Sequence, residues 1–199
     1  MPGSLFDLSD ATTIVPESML IDSNVVAARF MVAYQARERA NAARTASFFQ
    51  HAIAPRRHLV LSPTAYSEVL HTALRRRYQR ELLVHRDAVL ARYGRRITSW
   101  SELYKRDATL LQTQIPELNQ LRPRMVQYGV VIVAPDELGP IPSGRPYDQE
   151  LIHLIGRYGL DTNDALILME ASRLGISSIV TMDRDMQRAL PDFDVYTWE

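Results

Sequence analysis

The chain has 199 residues and a mass of 22.7 kDa, with 46% hydrophobic and 23% charged residues, a mix that supports one buried core and excludes wholesale disorder. Cysteine is absent, which excludes disulfides, thiolate zinc sites, iron–sulfur clusters and thiol nucleophiles, so any metal must sit on carboxylates, histidines or water. The 23 bases balance the 23 acids only by cancellation: residues 1–28 carry four acids and no bases, residues 29–135 eighteen bases and seven acids, and residues 136–199 five bases and twelve acids. Such segregation suits a protein that holds a cation in one place and an anionic polymer in another, and it equally suits solvated helix faces.

Residues 1–18 read as an acidic N-terminal extension carrying Asp7, Asp10 and Glu17 but no base, which is not the pattern of a signal peptide. No apolar run approaches the roughly 18 residues that span a bilayer, so the expectation is a cytoplasmic protein with no membrane association. Residues 19–199 read as a single domain. Short apolar runs at 19–21, 58–61, 129–134 and 178–181 predict buried parallel strands, and 193–198 a fifth. Helical patterns fill 25–50, 63–80 and 162–174, the last stopped by Gly175. Residues 81–128 predict a helical insertion broken at Ile115-Pro116, and the Pro- and Gly-rich stretch 135–147 a loop. Strand alternating with helix predicts an α/β fold with a mostly parallel central sheet.

In open α/β sheets, sites form beyond the carboxyl ends of the strands. Asp22 closes the run Met-Leu-Ile-Asp-Ser-Asn, and Asp183 closes Ser-Ile-Val-Thr-Met-Asp with Asp185 two residues on. If the first and fourth of the predicted strands are neighbours, these carboxylates converge. Glu68 lies one to two turns into the helix after the second strand, and Asp164 in the first turn of the helix at 162–174. Carboxylates at close range repel one another unless a cation neutralises them, and all-oxygen ligands select Mg or Mn. Taken singly, each acid reads as well as a helix cap, a first-turn acid or a surface charge.

The ordered set Ile21-Asp22-Ser23-Asn24, Pro63 to Glu68, Asp164-Ala165 with Glu170-Ala171, and Val180-Thr181-Met182-Asp183-Arg184-Asp185 resembles the PIN-domain ribonucleases, including VapC-type toxins. The resemblance covers roughly residues 19–80 and 129–198. It implies a three-layer α/β/α sandwich and a metal-dependent endoribonuclease in which Asp22, Glu68, Asp164 and Asp183 hold Mg or Mn, with Asp185 an auxiliary acid and Asn24 and Thr181 their polar neighbours. RNA is then the substrate, and a toxin role with an antitoxin protein as partner, or a homodimer, stays open. The insertion after Arg80 and the acidic extension have no counterpart in the compact members. Arg75, Arg76, Arg77 and Arg80, leading into Arg86, Arg92, Arg95 and Arg96, would supply phosphate contacts, or else a solvated or partner-binding face.

Rival readings remain. Glu68/His71 and Glu150/His153 are Glu-x-x-His pairs of the kind that bind di-iron in helical bundles, although the run Val130-Val131-Ile132-Val133 interrupts any four-helix pattern. Asn24 stands where a haloacid-dehalogenase-type phosphatase needs a second Asp, and no Gly-x-Ser-x-Gly, Walker A loop or Gly-x-Gly-x-x-Gly is present. A PIN-like module that binds RNA or protein without catalysis is the non-enzymatic alternative.

Overall fold

The computed structural model describes residues 3–33, 35–53 and 57–198. Six strands form one all-parallel sheet with helices on both faces, a three-layer sandwich. In chain order the strands are β1 (Leu5–Asp7), β2 (Ser18–Ile21), β3 (His58–Leu61), β4 (Val130–Ile132), β5 (Ser178–Val180) and β6 (Asp194–Thr197). The helices are α1 (Ser23–Phe30), α2 (Ala36–Ile53), α3 (Pro63–Val84), α4 (Arg86–Tyr93), α5 (Trp100–Arg106), α6 (Thr109–Gln127), α7 (Tyr147–Tyr158) and α8 (Thr162–Arg173). The sheet order is β1-β6-β5-β2-β3-β4, so from β2 the chain winds outward through β3 and β4 on one side and β5 and β6 on the other. Strands buried on both faces must be apolar throughout, and Met19 to Ile21, Leu59 to Leu61 and Ile179 to Val180 are all buried.

Three local features depart from the sequence expectations, each for a physical reason. The segment read as an extension contributes β1, which pairs with β6 and stacks Phe6 on Tyr196 with centroids 4.5 Å apart. Val15 and Leu8 also pack on the main core, so this segment is part of the sheet layer. The helix expected over 25–50 is two, with Met31 extended after α1. In one straight helix, Phe30 and Phe49 would stand about 28 Å apart. Folding back brings their rings to 5.3 Å, edge to face, inside the core. Finally, α6 runs through Ile115-Pro116 and also contains Pro123. Both prolines are seven residues apart on the exposed side, where the carbonyls they leave unbonded face water. The breaks come instead at His85, at 94–99 and at Asp107 and Ala108.

The insertion builds a core of its own from Tyr78, Val89, Ile97 and Leu103. Asp107 ties it together: its carboxylate accepts from Arg92 at 2.7 Å, Tyr93 Oη at 3.1 Å, the Thr109 amide at 3.1 Å and the Thr109 hydroxyl, while its carbonyl accepts from Tyr78 Oη at 2.8 Å. The Thr109 hydroxyl, opposed by burial and joined by Tyr93 and Arg92, holds the Asp107 pKa below its ordinary value. Its support is therefore fully present above the unfolded value of about 4 and is lost as pH falls through the lowered folded value. Replacing Asp107 with Ala keeps the carbonyl that accepts from Tyr78 but leaves Arg92, Tyr93 and the Thr109 amide and hydroxyl without the carboxylate, and should cost about 1–3 kcal/mol, confined to the insertion. Amide exchange is the measurement: protection over residues 86–109 should fall while β2, β3 and β5 keep theirs, and unchanged protection would mean that the apolar cluster alone holds the insertion.

Candidate active site

The strand order reverses between β2 and β5, and there the sheet must open a crevice beyond its carboxyl edge. Leu20 pairs with Ile179 and Ile21 with Val180, and the Asp22 amide continues the ladder by donating to the Val180 carbonyl at 2.9 Å. The adjacency on which convergence depended is thus present. A crevice of about 1190 Å³ lies at this point, and Asp22, Glu68, Asp164, Asp183 and Asp185 all line it.

Each acid is set by its element. Asp22 sits between β2 and α1, is 3% exposed, and makes no capping bond to α1. Its Oδ2 instead accepts from the Thr181 hydroxyl at 2.6 Å and from Asn24 Nδ2 at 2.6 Å. Asn24 Oδ1 in turn accepts from the Met182 amide at 3.0 Å, and Thr181 Oγ1 from the Asp183 amide at 2.9 Å. These bonds lock the turns after β2 and β5 to one another. Asp183 Oδ1 accepts from the Asp185 amide at 2.9 Å, and Asp185 pairs with Arg188 at 2.9 Å. Glu68 is held on both oxygens, by the Ser23 hydroxyl at 2.8 Å and Asn163 Nδ2 at 2.8 Å. Asp161 caps α8 through the Asp164 amide at 2.9 Å and so fixes where Asp164 emerges. The Asp164 carboxylate accepts no hydrogen bond among the described residues.

Burial, reinforced by the Glu68 charge and opposed by the Thr181 hydroxyl, pushes the Asp22 pKa up to about 6. Burial and then the charges of Asp161, Asp22, Asp183 and Glu68 push Asp164 up to about 7. The cluster therefore carries more negative charge than its own hydrogen bonds compensate. A hard divalent cation suits such an all-oxygen set. Among the described residues no group of three or more His, Asp or Glu side chains is arranged to hold a metal ion alone. Mg commonly binds through only one or two carboxylates and completes its shell with water and substrate oxygens, a mode that needs no such group.

The arginines sort by helical phase. At about 100° per residue, Arg75 lies some 20° from Glu68 around α3, Arg76 about 80°, Arg80 about 120° and Arg77 about 180°. Arg75 accordingly lines the crevice with Glu68. Arg76 reaches it too, but pairs with Glu38 at 3.3 Å and donates to the Ala27 and Val32 carbonyls at 3.4 and 3.3 Å. Arg77 pairs with Glu81 at 2.7 Å, and with Arg80 lines a separate small recess beside Gln114. Arg92 pairs with Asp107 and Arg95 with Glu102, while Arg86 and Arg96 border another recess. Of the run read as phosphate contacts or else as a solvated or partner-binding face, Arg75 and Arg76 line the crevice, whereas Arg77, Arg80 and the four insertion arginines do not. The bases that do line the crevice include Arg184, in the turn after β5 beside Asp183, and Arg37 of α2, which no strand-end rule selects.

The two Glu-x-x-His pairs stand apart. Glu68 and His71 line this crevice, whereas Glu150 and His153 line a different cavity, with Glu150 bonded to Ser143 at 2.7 Å and Arg145 at 3.0 Å. Sequence reasoning assigned no role to Glu170. Buried at 7% exposure, it accepts from the Thr64 amide at 3.1 Å and hydroxyl at 2.7 Å, anchoring the start of the helix that carries Glu68. No helix among the described residues is long and apolar enough to cross a membrane. Comparison with protein-family models and with curated proteins finds no match for the chain.

Proposed function

We propose that the protein is a PIN-type endoribonuclease that uses Mg or Mn to hydrolyse RNA phosphodiester bonds. The observation that carries this reading is that Asp22, Glu68, Asp164 and Asp183, drawn from both ends of the chain, line one crevice at the switch point of the sheet. When bound there, the ion supplies a water of lowered pKa and neutralises charge developing on the phosphate. Thr181 and Asn24 hold Asp22 in one orientation, and Ser23 and Asn163 do the same for Glu68, so these oxygens are aimed before substrate arrives. Asp164, without such partners, keeps its oxygens free for the reacting centre. Arg75 and Arg37 meet phosphate oxygens at the rim. An antitoxin partner and a homodimer belong to the same reading and rest on the resemblance alone.

The test is the nature of the ends. With water as nucleophile, the new bond joins its oxygen to phosphorus and the bond to the ribose O3′ breaks. Cut RNA should carry 5′-phosphate and 3′-hydroxyl ends, appear only with Mg or Mn, and vanish in EDTA. Ends bearing 2′,3′-cyclic phosphate, or cutting that survives chelator, would overturn the mechanism. RNA bound but never cut would favour the non-catalytic PIN-like module.

A further inference from the structure

The crevice wall formed by α3 presents Glu68, His71, Thr72 and Arg75 in one row. His71 is exposed, yet its ring is not free-standing: Trp100, the first residue of α5 in the insertion, packs against it edge to face, with centroids 5.5 Å apart and planes at 78°. Trp100 is itself half-buried against the insertion's apolar cluster. An edge-to-face contact cannot cover both faces of either ring, so π surface stays open beside the crevice. Arg75 and Arg37 make no ion pair among the described residues, unlike Arg76 and Arg77. A groove with unpaired guanidinium groups and an anchored aromatic ring has the chemistry that grips single-stranded nucleic acid.

We propose that His71, held by Trp100 as a positioning residue, is a base-stacking platform for single-stranded RNA between the acid cluster and Arg75. Along α3, His71 stands about 4.5 Å beyond Glu68 and Arg75 about 6 Å further. A nucleotide whose phosphodiester sits at the acids thus lays a base on His71 and offers a neighbouring phosphate to Arg75. The insertion acquires a role in substrate binding through one ring, although its arginines face away. The proposal rests on the endoribonuclease reading and deepens it.

The experiment uses the full chain and a short labelled single-stranded RNA, with affinity read by anisotropy in EDTA and cleavage kinetics in Mg. Losing the ring on which a base stacks, His71→Ala should weaken binding roughly ten-fold and raise KM with little change in kcat. His71→Phe, which keeps a ring, should restore wild-type affinity. The salt dependence should stay the same in His71→Ala but become shallower by about 0.7 in Arg75→Ala. Trp100→Ala should weaken binding in the wild-type background and have no further effect beside His71→Ala. If wild type neither binds nor cuts RNA, the nuclease reading fails together with this one. If wild type cuts and His71→Ala keeps its KM and affinity, or His71→Phe is as weak as His71→Ala, the platform alone is overturned.

Discussion

Asp164→Asn should melt at a higher temperature than wild type in EDTA at pH 8, while its nuclease activity falls by orders of magnitude. The sign follows from the raised pKa. Wild-type Asp164 goes from an ordinary 3.8 to about 7 on folding, so between those values the native state holds a proton that the unfolded chain has released. Stability therefore declines as pH rises through that window and stays low above it. Asn never acquires the charge. One pKa unit corresponds to about 1.4 kcal/mol, and screening at this half-open position leaves an expected gain of about 1–3 kcal/mol at pH 8. Each kcal/mol moves the melting point of a chain this size by about 2–4 °C. The wild-type and variant curves should meet near pH 4. Asp22→Asn should behave similarly over a narrower window, since Asp22 rises only to about 6, but it also perturbs the bonds with Thr181 and Asn24. Loss of activity with a gain in apo stability marks a charge kept for function against the fold's preference. An Asp164→Asn protein that is less stable at pH 8, or that cuts RNA in proportion to its folded fraction, would return this acid to a structural role.

What the sequence revealed and what it hid divide along the range of the interactions. Residues 58–61 were readable as a strand because burial on both faces demands an unbroken apolar run, and Asp22 and Asp183 because a polar residue ends each such run. That the two aspartates meet depends on β2 lying beside β5, about 160 residues apart in sequence, and apolar patterning says nothing about which strands pair. β1 escaped because three residues, only partly buried at a sheet edge, carry no periodicity. The turn after Phe30 escaped because it contains neither Gly nor Pro; it exists so that Phe30 can meet Phe49 and Tyr128. Pro116 misled in the opposite direction, since a proline on the wet side of a helix removes a bond that water replaces. The orientation of the arginines, by contrast, was implicit in helical phase once α3 was known to run unbroken from Pro63 to Val84. Glu170 was legible only as part of a motif, and its anchoring of Thr64 was not, because a carboxylate reaching the start of another helix is a tertiary arrangement.

Adding Mn should stabilise the wild-type protein strongly at pH 8 and hardly at pH 5. An ion that binds only the folded state stabilises by mass action, by about 2.7 kcal/mol at one hundred times its dissociation constant. Carboxylates must shed their protons to bind it, so ion and proton compete for the same oxygens. Asp22 releases its proton near 6 and Asp164 near 7, which places the gain in affinity between roughly those values and a plateau above them. The metal-induced shift in melting temperature should therefore climb steeply from pH 5 to pH 7 and then level. This is the reverse of the apo protein, whose stability falls over the same interval as uncompensated charge accumulates. The crossing trends follow from one cause, since the cation supplies the neutralisation that protons supply at low pH. Asp22→Asn and Asp164→Asn should each lose most of the shift at pH 8, because a hard ion held by few carboxylates does not spare one. A shift independent of pH, or one that both variants retain in full, would place the ion at other oxygens and leave this crevice without the chemistry assigned to it.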